Sequence, residues 1–259
     1  MMAPAELKAL LEDLYAQYNV PAFIADDPIG IPHRYQQKED IEIAAFLTAT
    51  LAWGQRPVIL RNAERLLGLM GGEPYRFVRE HAPADLAPMA TFVHRTFNGT
   101  DAQVLIGGLQ RLYRDHGGLE GAVASGVAPN DLDVRGGIVN LRRLLLDEST
   151  PQRTYKHVPN IERGASAKRL NMFLRWMVRR DGRGVDFGLW RSVHPRQLLC
   201  PLDLHTGRAA RRLGLLTRAQ DDLRAVLELT EALRRLDPED PIRFDIALFA
   251  LGASGQLEG

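Results

Sequence analysis

The sequence predicts an all-α fold. Over most of the 259 residues the apolar positions recur at helical spacing. Strand-type alternation is scarce. The periodic stretches are bounded by proline, glycine and capping side chains at intervals that suit helices. The composition is that of an ordinary globular protein, 45% apolar and 25% charged.

The elements follow in order. Residues 5–18 read as an amphipathic helix ended by Asn19 and Pro21. Residues 22–38 hold Pro28, Gly30 and Pro32 and read as a loop. Asp40 is expected to cap a strongly apolar helix at about 41–54, and Pro57 sits well at the start of the next. Shorter helices are expected near 73–81, 100–116, 118–125 and 131–147. Between two of them lies His94–Asn98, an odd polar-aromatic loop. A polar loop at 148–165 leads to a helix at 166–180, and an irregular segment then leaves room for a short hairpin or turn. The chain closes with three helical stretches, LDLHTGRAARRLGL, AQDDLRAVLELTEALRRL and DPIRFDIALFALG. There is no internal repeat and no obvious linker. About ten helices are expected in one compact unit, with lobes of 1–40 plus 187–259 and 41–186 and a cleft between them.

Composition also excludes function classes. Cys200 is the single cysteine, which rules out a disulfide framework, a thiolate zinc site and a four-cysteine iron–sulfur cluster. No metal or cofactor is expected. The N-terminus is not a signal peptide and no apolar run reaches the roughly 18 residues of a membrane span, so the expectation is a cytoplasmic protein. Net charge is only +1, so a nucleic-acid partner would require basic charge gathered on one face. Only Lys8, Lys38, Lys156 and Lys168 are lysines among 33 basic residues. In such an arginine-rich chain, a lysine at a defined position is a candidate for chemistry that requires a removable proton.

The informative stretch is Gly164-Ala165-Ser166-Ala167-Lys168-Arg169-Leu170-Asn171, followed by Pro201-Leu202-Asp203-Leu204-His205-Thr206-Gly207-Arg208. Ser166 is placed to cap a helix with Lys168 in its first turn, where the dipole disfavours an ammonium. Such an amine is a nucleophile able to form a Schiff base. Asp203 follows a proline at the start of a second helix. It is placed either as a plain N-cap or as a carboxylate that takes a proton or stabilises a sugar cation.

These residues resemble the core of the helix-hairpin-helix DNA glycosylases, the superfamily of endonuclease III and the 8-oxoguanine glycosylases. There a glycine-rich hairpin runs into a helix as G-x-G-x-K-[TV]-A, and a later Val-Asp-Thr-His carries an essential aspartate. Gly164, Ser166 and Lys168 fall on the first motif, and Leu202-Asp203-Leu204-His205 on the second. Arg208 matches a basic residue on the helix after it. Upstream, AAFLTATLAWGQRPVILRNAERLL resembles the superfamily's apolar helix ending in a glutamine, which corresponds to Gln55. The closing RFDIALFALG resembles its last core helix. The pattern covers roughly residues 40–252. It is nearest to an uncharacterised bacterial family of that superfamily, with some similarity to the archaeal 8-oxoguanine glycosylases. The hairpin's first half departs from Leu-Pro-Gly-x-Gly, reading Val158-Pro159-Asn160-Ile161-Glu162-Arg163. Asp203 also lies 35 residues after Lys168, about twice the endonuclease III separation.

The resemblance implies a two-lobed, monomeric base-excision enzyme on double-stranded DNA, nucleoid-associated while bound. Its catalytic pair would be Lys168 and Asp203. It would excise an oxidised purine such as 8-oxoguanine and act as a lyase on the abasic site. Gln55 would fill the vacated stack. Gly164, Ser166, Arg169, His205 and Arg208, with the Ala165 amide, would hold the DNA. Arg175, Arg179 and Arg180 would extend a basic strip, unless Arg175 and Arg179 form a solvated face. Asp245, Trp53, Phe249 and His94 would recognise the base, with Trp176 and Trp190 as further stacking candidates. Three alternatives stay open: another modified or alkylated base without lyase activity, a non-catalytic DNA-binding relative, and an unrelated all-α scaffold.

Overall fold

The computed structural model describes residues 2–254. Among them are eleven α-helices, several 3-10 turns and one two-stranded hairpin, so the fold is mostly helical. The chain divides into two compact units, Met1–Ala25 with Pro129–Val134 and Asn160–Gly259, and Asp26–Ala128 with Arg135–Pro159. The expected lobes were drawn elsewhere: residues 129–134 and 160–186 group with the two termini, and residues 26–40 group with the other unit. Residues 160–186 are held there by packing of the helix after Lys168. Its Phe173 ring meets Trp190 edge-on at 5.4 Å, and its Trp176 carbonyl accepts the Phe187 amide at 2.8 Å.

The unit containing the termini holds α1 (Pro4–Tyr18), α8 (Lys168–Val178), α9 (Leu204–Arg212), α10 (Leu223–Leu236) and α11 (Asp245–Ala253). α11 is apolar on nearly every side and packs against both α1 and α9. Trp176 and Trp190, candidates for stacking on a base, are instead fully buried and belong to this core. Asp222 caps α10 by accepting the Ala225 amide at 3.1 Å.

The other unit is built on α2 (Lys38–Leu51), which is buried along its length from Ile41 onward. α3 (Arg56–Gly68), α4 (Pro74–Glu80) and α6 (Gly118–Ala124) pack against it, and α5 (Gly99–Asp115) and α7 (Arg135–Leu145) pack against α6 and against each other. Asp40 does not cap α2. The cap position is Gln37, and the Asp40 carboxylate accepts the Tyr75 amide of α4 at 2.8 Å. The irregular segment after α8 holds bends rather than a hairpin, and the hairpin lies in this unit instead. It joins β1 (Val93–His94) to β2 (Phe97–Asn98), pairing Val93 with Asn98 and His94 with Phe97. Arg95 turns it with a φ of 55°, a conformation unfavourable for a side chain of that size. Among the described residues no helix is long and apolar enough to cross a membrane.

Candidate functional site

The turn before Lys168 is held by its own backbone. The Asn160 side chain accepts the Glu162 amide at 3.0 Å and the Arg163 amide at 3.3 Å, closing a 3-10 turn. Gly164 then takes a φ of 86°, which glycine adopts at no steric cost. Its amide returns to the Ile161 carbonyl and that of Ala165 to the Asn160 carbonyl. Two of the three amides expected to grip phosphate are therefore already used inside the turn. Ser166 is not the helix cap either. That position is Ala167, whose φ of 50° is left-handed. A non-glycine residue held there costs about 1–2 kcal/mol, and the strain sits directly before Lys168. Asn171, buried one turn into α8, donates to the Ser166 carbonyl at 3.0 Å and fixes the bend.

Lys168 is the first residue of α8, and Asp203 is the cap of α9. The two carboxylate oxygens of Asp203 do different things. Oδ1 accepts the Thr206 amide at 2.9 Å, and Oδ2 lies 3.7 Å from Lys168 Nζ. The plain capping role and the chemical role are thus compatible in one side chain. The Lys168 and Asp203 side chains are 28% and 22% exposed, so a substrate can reach both. An amine beside a carboxylate, each at a helix start and each accessible, can carry out nucleophilic attack with proton transfer.

Behind the pair lies a buried ionic network that the sequence did not reveal. Asp245 is 4% exposed, and its Oδ2 accepts from Arg175 Nη1 at 2.6 Å. The Cys200 thiol stands 3.9 Å from Asp245 Oδ1. Burial, helped by the charge on Asp203, pushes the Asp245 carboxyl up to about 6 against the pull of Arg175. Asp245, the candidate for reading the base, thus has protein partners on both carboxylate oxygens. The basic strip is corrected. Arg175 and Arg179 are buried. Arg179 pairs with Asp186 at 2.5 Å, Asp240 at 3.0 Å and Asp181 at 3.2 Å. Arg180 donates to the Gly188 carbonyl at 3.0 Å and to that of Trp190. These arginines organise the loop after α8.

Of the remaining DNA-contact candidates in this unit, Arg208 is exposed and Arg169 is half-buried, with burial pushing its guanidinium down. His205 donates from Nδ1 to the Gly252 carbonyl at 3.2 Å and meets the Phe249 ring edge-on at 5.7 Å. The α9–α11 crossing that allows this is tight. A Cβ on Gly252 would sit 2.6 Å from the His205 carbonyl carbon and closer still to its oxygen.

In the other unit Gln55 is exposed at the cap of α3, beside Gly54, which has a φ of 102°. The structure brings two base-recognition candidates together here. Trp53 is half-buried and meets His94 edge-on at 4.7 Å, and His157 lies 5.9 Å from the Trp53 ring. His94 is 1% exposed and accepts from Asn62 Nδ2 at 2.9 Å, which leaves its proton on Nε2. It is a buried residue of the hairpin. His157 went unnoticed in the sequence. Its Nε2 lies 3.3 Å from the fully buried Asp101. Burial alone would raise the Asp101 carboxyl, but the Asn98 amide, the Thr154 hydroxyl, His157 and Arg153 outweigh it and hold it below the ordinary range. Trp53 and His94 thus fall in one unit, and Asp245 and Phe249 in the other. Among the described residues no group of three His, Cys, Asp or Glu side chains is arranged to hold a metal ion.

The chain belongs to a family described as a protein of unknown function (DUF2400), whose model matches residues 27–254. Comparison with curated proteins gives no match, and comparison with solved structures gives none.

Proposed function

We propose that this protein is a DNA base-excision glycosylase of helix-hairpin-helix architecture, with lyase activity on the resulting abasic site. The observation that carries the reading is the Lys168–Asp203 pair, 3.7 Å apart and accessible at two helix starts. The resemblance of the surrounding motifs supplies the substrate class, an oxidised purine of the 8-oxoguanine type in double-stranded DNA. The chemistry has two stages. The neutral Lys168 amine attacks C1′ of the extruded nucleotide, and the C1′–N bond breaks with its electron pair leaving on the base. Asp203 accepts the proton the amine loses and stabilises positive charge on the sugar. Ring opening then gives a Schiff base, and loss of a C2′ proton expels the 3′ phosphate by β-elimination.

Gln55 is the side chain assigned to the gap left by the base. Ser166, Arg169, His205 and Arg208 are assigned to the DNA backbone, with Gly164 shaping the turn rather than donating to phosphate. Trp53 and Phe249 are the stacking candidates that retain exposure. Backbone contacts of this kind make affinity fall steeply with salt.

The test uses duplexes carrying one lesion each. The wild-type protein should release the base and nick the strand on at least one oxidised purine, and Lys168→Gln should do neither at an unchanged melting temperature. Absence of both base release and nicking on every lesion and on an abasic site would overturn the proposal. Base release that persists in Lys168→Gln would convert it to a monofunctional enzyme working through Asp203 and water.

A further inference from the structure

With a net charge of +1, the chain can attract a polyanion only through a face from which acidic residues are withheld. The unit built on α2 has such a face. Residues 43–63, 86–100 and 149–159 contain no Asp or Glu. They meet at the hairpin. Trp53 packs edge-on against His94 and lies 5.9 Å from His157, Phe97 meets His157 at 5.0 Å, and Arg153 donates to the Thr96 carbonyl at 3.0 Å. Of the acids bordering these stretches, Glu42 and Asp101 are buried and Glu64 pairs with Arg34 at 2.6 Å. That leaves exposed Asp85 and Glu148 to offset exposed Arg56, Arg61, Arg65, Arg95, Arg153 and Lys156.

Two of these arginines sit where local chemistry disfavours them. Arg95 turns the hairpin with a φ of 55°, which a glycine would adopt without cost. Arg56 is the first residue of α3, where the helix dipole repels a cation, and no acidic side chain in that turn offsets it. Neither gains burial in return. The Arg95 side chain lies along Gly54: a Cβ there would stand 2.9 Å from its Nη1 and 3.2 Å from its Cδ. Its guanidinium is thus laid on the backbone directly before Gln55, with Arg56 directly after. Side chains kept against local preference mark function.

We infer that this hairpin face is a DNA-backbone contact surface, in which Arg56 and Arg95 hold phosphates beside Gln55 and the arginines flanking the hairpin, Arg65 and Arg153, extend the basic field. Guanidinium forks suit phosphate oxygens. The half-buried Trp53 among them is the aromatic partner that favours a nucleic acid over an acidic protein. The inference rests on DNA as the partner, as proposed above, and not on the lyase chemistry of Lys168.

The test measures binding of the full chain to a fluorescent undamaged duplex, and to one carrying a stable abasic analogue, by anisotropy across about 50–200 mM salt. Arg95→Gly and Arg56→Gln should each lower the slope of log affinity against log salt by about 1 and weaken binding to both duplexes alike. Arg76→Gln, which alters an exposed arginine of α4 paired with Glu73, should change neither. Arg95→Gly should also raise the melting temperature by about 2–4 °C, because it relieves the left-handed backbone. No binding by the wild type, an unchanged slope in both variants, or weaker binding of Arg95→Gly together with a lower melting temperature would overturn the inference. Displacement of the duplex by polyglutamate as readily as by unlabelled DNA would assign the face to an acidic protein and overturn it too. The glycosylase reading fails separately: full salt slopes without base release or nicking sink that reading alone, and nicking with unchanged slopes in both variants sinks this one alone.

Discussion

Replacing Gly252 by alanine tests how the candidate site is held. The new Cβ would lie 2.6 Å from the His205 carbonyl carbon and 3.0 Å from its Cα. Carbon atoms in ordinary contact stand roughly 3.5–4.0 Å apart, so α11 must move about 1 Å from α9. Both contacts are backbone, and no rotamer change relieves them. Forcing an added carbon into a packed contact costs about 1–3 kcal/mol. Stretching the His205–Gly252 hydrogen bond adds about 1 kcal/mol, and the better helix propensity of alanine returns up to about 1 kcal/mol. The net is a loss of about 2 kcal/mol, which lowers the melting temperature by roughly 4–8 °C in a chain of this size. The control is Gly107→Ala, also within a helix, where the added Cβ meets nothing within 4 Å. There the propensity term stands alone and stability should rise by about 0.5–1 kcal/mol. Calorimetry and urea unfolding of both variants provide the measurement. A Gly252→Ala protein as stable as the wild type would refute the tight α9–α11 crossing, and with it the account of how His205 is placed.

Three further outcomes are expected. Arg179→Met should destabilise the protein by about 3–5 kcal/mol, because it removes the shared cation from the buried Asp186 and the half-buried Asp240 and Asp181, leaving Asp186 with Arg175 alone among the ion pairs; a urea midpoint within error of wild type would contradict the buried network. Ala167→Gly should stabilise by about 0.5–1 kcal/mol by relieving the left-handed alanine, and a lower melting temperature would show that the turn is not strained. Stability should fall as the pH drops below about 4: Asp101, Asp181 and Asp237 are held below their ordinary value of 3.8, so their contribution is present above it and lost as they protonate. Asp245 has the opposite sign, since its carboxyl is raised, and it favours the folded state progressively as the pH falls through about 6. A urea midpoint that stays flat between about pH 6 and 3 would contradict both assignments.

What could be read from the sequence was what local chemistry decides. Pro57 marked the start of α3, and a proline-led turn placed Asp203 before α9. The apolar run at Ile41–Leu51 announced a central helix. Misreadings occurred where a side chain has a distant partner. Asp40 carries a capping pattern, yet its acceptor serves Tyr75, 35 residues away. Arg175 and Asp245 are 70 residues apart, and nothing in either segment signals that they meet. A regular arginine spacing on α8 suggested a basic surface, whereas the same helical face is buried against acidic loops. The hairpin escaped notice because strands of two residues are too short to show alternation, and its turn depends on the unusual backbone of Arg95. Lys168 and Asp203 were legible together only through the motifs around them. Spacing alone does not bring residues 35 apart within 3.7 Å.

Borohydride trapping with peptide mapping tests the central claim most directly. The protein is incubated with a duplex containing an abasic site or an oxidised purine, the reductant is added, and the cross-linked peptide is sequenced by mass spectrometry. The account predicts a covalent adduct on Lys168, absent in Lys168→Gln and strongly reduced in Asp203→Asn. An adduct on Lys8, Lys38, Lys156 or the N-terminal amine with none on Lys168, or no adduct at all alongside nicking, would contradict it.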